Sequence, residues 1–331
     1  MRFGKAWFFA AALAAFACGG DETADPGPGP GEDPGEDPGE EPEPTTSRAG
    51  FVFDTITVPT SEAQAKQVAL DIDGDGEVDN ALGNVISTLA SFSDSVDVQG
   101  QVDDSLADGS VILLADLGYS SLNSGNGLMT LFQGDNPGTA PCDGEQCGKH
   151  LSGGTSFDIS VASPQDNTVS GALSAGVFTG SDGVVTIPLP LGTSINNIEV
   201  IGAATRADVT KTTLSGGILG GGVSEDEIDT KILPAVAELM GAYTAQECTL
   251  PAPTCCPNGT DGKTIMDLFD ENNDCSITTE ELKNNFLVAT LLKADLDLLD
   301  ENGDYNPGVD GVLDSVSIGI GYSGIDATFT P

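Results

Sequence analysis

Residues 169–191, Val-Ser-Gly-Ala-Leu-Ser-Ala-Gly-Val-Phe-Thr-Gly-Ser-Asp-Gly-Val-Val-Thr-Ile-Pro-Leu-Pro-Leu, decide the fold class. They divide into two runs rich in β-branched and aromatic residues, Val169–Thr179 and Val184–Leu191, with Gly, Ser and Asp between them. Short runs broken at turn residues are the pattern of antiparallel strands, not of strand–helix–strand units. The pattern extends outward through Val111–Leu117, Leu128–Phe132 and Phe157–Val161 on one side, and through Ile198–Thr210 and Leu214–Leu219 on the other. Residues 50–58 alternate as a further strand. Residues 315–329 alternate again and are expected to return to the sheet as a closing strand or hairpin.

Helical spacing appears twice. Leu82, Val85, Ile86 and Leu89 recur at helical intervals between Asp79 and Phe92. After residue 223, Ser224 with Glu227 forms a capping box, and Ile228, Ile232, Val236, Leu239 and Met240 make one apolar face that Pro234 is expected to bend. A short helix is expected over 261–269, and another over 279–292 that buries Leu282, Phe286 and Leu291. The expected fold is α+β: a β-rich antiparallel sheet or sandwich over 50–223, then a helical C-terminal part over 224–331 with a helix–loop–helix and the closing strands.

The loop between those last two helices carries the most specific chemistry. Residues 270–281, Asp-Glu-Asn-Asn-Asp-Cys-Ser-Ile-Thr-Thr-Glu-Glu, place oxygen donors where a calcium ion needs them. Asp270, Asn272 and Asp274 stand at loop positions 1, 3 and 5. Ser276 offers a carbonyl at 7, Thr278 stands at 9 and Glu281 closes the site at 12. This stretch resembles the EF-hand. It departs from that family at position 6, where Cys275 replaces the usual glycine in a left-handed conformation. A disulfide from Cys275 to Cys248, Cys255 or Cys256 would hold that geometry. Because EF-hands pair through position 8, Ile277 is expected to pair with Val78 or Val309.

Two further acidic loops accompany it. Asp71, Asp73, Asp75, Glu77 and Asp79, with Gly76 at the turn, resemble the calcium loops of dockerins and thrombospondin type 3 repeats. Asp300, Asn302, Asp304 and Asp310 form a weaker copy with two inserted residues.

The N-terminus reads as an export signal. Arg2 and Lys5 precede an apolar run, Ala6 to Ala17, that is too short to span a bilayer. Residues 1–17 are the expected signal peptide and Cys18 the expected lipidation site of a bacterial lipoprotein. Residues 18–49, rich in Pro, Gly, Asp and Glu, read as a disordered tether between membrane and domain. Residues 50–331 form the expected calcium-binding domain.

Acidic residues outnumber basic ones 52 to 11, for a net charge of −41, so nucleic acid and anionic surfaces are repelled. Six cysteines follow Cys18. Cys142 and Cys147 are expected to pair locally, while connectivity among Cys248, Cys255, Cys256 and Cys275 stays open. The chain has one histidine, His150, and its one tryptophan, Trp7, lies in the signal. Neither a Gly-x-Ser-x-Gly elbow nor a His-Glu-x-x-His motif is present. The glycine-rich run 215–223 lacks the Lys-Ser/Thr of a phosphate loop and leads into Glu225, Asp226 and Glu227, where an anion would sit.

The whole is similar to the EF-hand domain-containing lipoproteins and exported proteins of Gram-negative bacteria. That resemblance covers the signal, the tether and the calcium loops, and goes with calcium as the cofactor, a membrane contact through Cys18 and a location at the outer membrane or cell surface (secreted or periplasmic as the alternative). The expected role is a non-enzymatic, calcium-stabilised one in binding, adhesion or envelope structure, with the protein or glycan partner unknown. An exported hydrolase that uses carboxylates over a calcium scaffold is the alternative function.

Overall fold

A computed structural model describes residues 47–92, 97–191 and 194–330. The expected signal, Cys18 and the tether up to residue 46 lie outside these. The elements in chain order are β1 (Ser47–Thr57), α1 (Glu62–Gln67), α2 (Ala81–Phe92), α3 (Val98–Asp108), β2 (Leu113–Tyr119), β3 (Ser124–Asp135), β4 (Thr155–Ser156), β5 (Asp158–Ile159), β6 (Thr168–Ser174), β7 (Val177–Leu191), β8 (Ser194–Val209) and β9 (Thr213–Ser224). There follow α4 (Glu225–Glu227), α5 (Leu233–Glu247), α6 (Asp261–Phe269), α7 (Thr279–Asn284), α8 (Phe286–Leu291) and β10 (Ser315–Thr328).

The expected α+β sheet or sandwich is corrected to a closed barrel. Eight strands pair antiparallel in the order β1-β2-β3-β6-β7-β8-β9-β10, and β10 pairs with β1 as well as β9. Phe51 faces Asp326 across that last seam, and Ser315 faces Ser224 across the one before it. The seams remove every free edge of the eight strands, which a sandwich keeps. Two short strands stand outside the ring, β4 beside β10 and β5 beside β3.

Eight strands enclose a space that side chains alone can fill. Phe51, Phe53, Leu117, Met129, Phe178, Val185, Ile198, Leu214 and Ile320 fill it, all buried in one apolar cluster. Phe53 stacks on Tyr322 with ring centroids 4.6 Å apart, and the Tyr322 hydroxyl lies 2.7 Å from Thr205. Many outward positions of the same strands are polar and exposed, among them Ser170, Thr179, Ser181, Glu199, Arg206 and Asp208, while Val52, Leu114 and Phe132 face outward into a second apolar cluster with Phe157. A membrane-spanning barrel has the opposite alternation, with its apolar side toward lipid. No helix among the described residues is long and apolar enough to cross a membrane.

The two ends of the barrel differ. Tight turns join β2 to β3, β6 to β7 and β8 to β9 at one end, the second through left-handed Ala175 and Gly176. The other end sends out α1–α3 between β1 and β2, and α4–α8 between β9 and β10. The helices are corrected in two places. α4, a π turn over Ile228–Ile232 and α5 run on without a break, so the hydrogen-bond ladder is irregular just where Pro234 has no N–H to donate. The expected single helix over 279–292 breaks at Asn285, which is extended and accepts the Leu287 and Val288 N–H groups to start α8. Leu282 is fully buried as expected, but Phe286 is 86% exposed.

Candidate metal centres

The loop after α1 turns sharply because Gly74 and Gly76 both take left-handed backbone angles, 80° and 94°. Its mouth is closed by an antiparallel bridge between Leu70 and Asp79. Asp71 accepts the N–H groups of Gly74 and Gly76, at 2.8 and 3.1 Å, and Asp79 accepts that of Ile72 at 2.8 Å. This folding brings one carboxylate oxygen each from Asp71, Asp73 and Asp79 within 4.8 Å of one another. Asp75 stays outside that group and accepts the Glu77 N–H, and both Asp75 and Glu77 are exposed. Burial raises the Asp79 carboxyl above its ordinary pKa. The Ile72 N–H opposes the rise, and the charges of Asp73, Asp295 and Asp75 add to it.

Asp295 belongs to the third loop, and the barrel wall holds the two loops together. Asn80 ends the first loop with all four hydrogen-bonding positions used, on Ala65, Gly83 and both backbone groups of Gly319 in β10. Ser317, also on β10, accepts the Ala81 N–H and donates to Asp295 at 2.6 Å. Below, Ile72 packs with Leu296, Leu298, Leu299 and Tyr305 against Ile201 of β8. Sequence reading missed Asp295 and Asp297; the run Asp295-Leu-Asp297-Leu-Leu-Asp300 was the available signal. Asp297 takes the Gly311 N–H on one oxygen, and its other oxygen is buried without a hydrogen-bond partner.

The expected donors of the third loop do not converge in the same way. Asp300 accepts the N–H groups of Asn302 and Asp304, which lower its pKa. Asp310 accepts only the Val312 N–H nearby and is exposed. Among the described residues, these four form no set of three carboxylates like that of the first loop.

The EF-hand-like loop lies between α6 and α7, so the expected helix–loop–helix is present. Asp270 is 7% exposed and receives the N–H groups of Asp274 and Cys275, at 3.1 and 2.9 Å. Asn272 accepts from Asp274, and Asp274 accepts from Ser276. Thr278 caps α7 in a capping box with Glu281. The Glu281 carboxylate also reaches the Asn272 N–H at 3.4 Å, so loop positions 3 and 12 adjoin. Burial raises the Glu281 pKa, but the hydrogen bonds from Thr278, Asn272 and Glu271 outweigh it and lower the value overall.

Position 6 has the expected strain. Cys275 takes a φ of 72°, and its disulfide partner Cys255 a φ of 54°. The remaining pairs are Cys142–Cys147, as expected, and Cys248–Cys256. Three disulfides fit an oxidising, exported environment. The pairing expected of Ile277 is corrected: Ile277 is 7% exposed in the main core, while Val78 and Val309 are 51% and 58% exposed, and no bridge joins them. Ile277 joins Met266 and Leu282 of the flanking helices in the main apolar cluster. A search of family models, of curated proteins and of solved structures finds no match to this chain, so the functional reading rests on these loops and on the barrel that carries them.

Proposed function

We propose that the protein is an exported calcium-binding barrel, held to the envelope by a lipid on Cys18, with a non-enzymatic surface or structural role. The observation that carries this reading is the convergence of Asp71, Asp73 and Asp79 within 4.8 Å, in a loop where burial, and after it the charges of Asp73, Asp295 and Asp75, raise the Asp79 pKa. Carboxylates at that spacing repel one another, and a hard divalent cation with oxygen preference removes the repulsion. The loop at 270–281 supplies the second site, with Asp270, Asn272, Asp274, Ser276, Thr278 and Glu281 as ligands. Both loops sit on a rigid barrel or a disulfide-tied helix pair, which favours a structural over a sensory role.

Calorimetric titration of the purified protein with calcium, then melting in calcium and in chelator, tests the reading. Expected is saturable binding, and stabilisation by about 2.7 kcal/mol at a free calcium concentration one hundredfold above the dissociation constant. No heat of binding, together with a melting temperature indifferent to chelator, overturns it. Mass analysis of the mature N-terminus tests the lipid on Cys18.

A further inference from the structure

Two cavities share a wall at the helical end of the barrel. The inner one measures about 60 Å³ and is lined by apolar side chains from every neighbouring element, including Val85 of α2, Leu189 of β7, Leu239 of α5 and Phe269 of α6. The outer one measures about 300 Å³ and carries both signs of charge, from Glu225, Asp229, Lys283, Lys293 and Asp314. Leu233, Val288 and Leu292 line both. Two of these three belong to α8 and its C-cap. That helix has six residues, of which Val288 alone is buried. A helix so short has little stability of its own, so this wall is the one able to move.

Native interiors hold few voids larger than a water molecule. Water is poorly suited to the inner cavity, because it needs two to four polar partners. At roughly 10–15 Å³ for each water-sized unit, the space takes about four to six methylene groups. In the outer cavity Lys283 is already paired with Asp229, and Asp314 is engaged by the Leu298 and Leu299 N–H groups and Ser315. Lys293 and Glu225 make no salt bridge among the described residues. Lys293 is thus the cation left without a partner among the described residues, and Glu225 faces the same space beside Lys283, on which its charge already acts.

We infer that the paired cavities bind a single-chain zwitterionic amphiphile, its alkyl end in the inner cavity and its head between Lys293 and Glu225. An anionic head would meet three carboxylates in a chain of net charge −41. A purely cationic head would leave Lys293 opposed.

The test is calorimetric titration of the purified protein with alkylphosphocholines of increasing chain length, each below its micelle-forming concentration. It is run with and without calcium, so that the result stands apart from the calcium reading. Expected is one-to-one binding that tightens about fourfold per methylene over a window of about four to six carbons and then levels. An alkyl sulfate of equal length binds more weakly. Leu292→Trp, at a half-buried position, fills the inner cavity and removes the chain-length dependence. Val236→Leu does so less drastically and serves if the first variant does not fold. Lys293→Gln removes the preference for phosphocholine over a trimethylammonium head. Absence of saturable binding, a chain-length dependence that continues unbroken, or indifference to both filling variants overturns the inference.

Discussion

Removing the disulfide that spans the EF-hand-like loop separates two effects that Cys275 combines. Cys255 and Cys275 are 20 residues apart in sequence. Closing a loop of that length removes chain entropy worth about 3 kcal/mol from the unfolded state. The double variant Cys255→Ala with Cys275→Ala should therefore lose about 3 kcal/mol. In a domain of this size that is a fall in melting temperature of about 5 °C. The second variant, Cys255→Ala with Cys275→Gly, loses the same tether but relieves the left-handed backbone at position 6, where φ is 72°. A left-handed non-glycine residue costs about 1–2 kcal/mol, and glycine adds about 0.5–1 kcal/mol of unfolded-chain entropy. The glycine variant should recover roughly 0.5–1 kcal/mol. Calorimetric melting in chelator measures both. An alanine variant within 2 °C of the parent (roughly 1 kcal/mol) refutes the loop-closure reasoning, and a glycine variant no better than the alanine one refutes the backbone reasoning.

Three further outcomes follow from buried or crowded charges. Asp79, whose folded-state pKa is raised, takes up a proton more readily folded than unfolded, so without calcium its charge is a cost at neutral pH and stability should rise as pH falls through the folded pKa. Asp79→Asn keeps an acceptor for the Ile72 N–H; it should raise the melting temperature in chelator and flatten that limb, and a lower melting temperature counts against the repulsion argument. His150 has no exposed surface, and burial lowers its pKa against opposition from the Asp108 charge and from a backbone contact to Leu106 too poorly aligned to satisfy a ring nitrogen. The unfolded chain then takes the proton first, so stability should fall as pH drops below 6.5, the ordinary value, toward the lowered one; His150→Phe should weaken that slope, and an identical slope in urea titrations refutes it. Arg48 pairs with Asp116, which is 6% exposed. Arg48→Gln should cost about 1–2 kcal/mol, at the low end for a charged hydrogen bond because the guanidinium is half in water; urea denaturation with no loss contradicts it.

The strands were legible because each buries one face, and alternation reports burial directly. Closure was not, because it depends on Phe51 meeting Asp326 almost the whole domain away. The same alternation serves a sandwich, whose second sheet lies where the barrel's far wall does. Val169–Thr179 read as one strand because Ala175, which turns the chain beside Gly176 with φ 51°, carries no turn signal of its own. Helix α3 escaped because its apolar residues, Val98, Val102 and Leu106, make a single narrow stripe among polar ones. The break at Asn285 was signalled by the pair Asn284-Asn285, since asparagine favours caps over helix interiors, and the extended backbone there exposes Phe286. At the metal loops, ligand spacing within a loop could be read directly. The approach of Asp295 to Asp79 could not, since Ser317 and Gly319 of β10 arrange it by holding Asp295, Ala81 and Asn80.

That approach decides where calcium would matter most for stability. The 270–281 loop is preformed: Asp270 already holds two backbone N–H groups, Glu281 is satisfied by Thr278, and the Cys255 tether fixes position 6. An ion there replaces interactions the loop already has. In the first loop an ion would cancel repulsion among Asp71, Asp73 and Asp79, and the added field of Asp295, which enters from the insertion after β9. It would thus add a link between two insertions that already meet through Ser317, the Ile72 cluster and the packing of α2 against α6 and α8. On this reading Asp71→Asn should abolish most of the calcium-dependent rise in melting temperature, while Asp270→Asn should remove a binding event in calorimetry with a smaller effect on melting. The reverse order would place the structural ion in the EF-hand-like loop and remove the stapling role from Asp79.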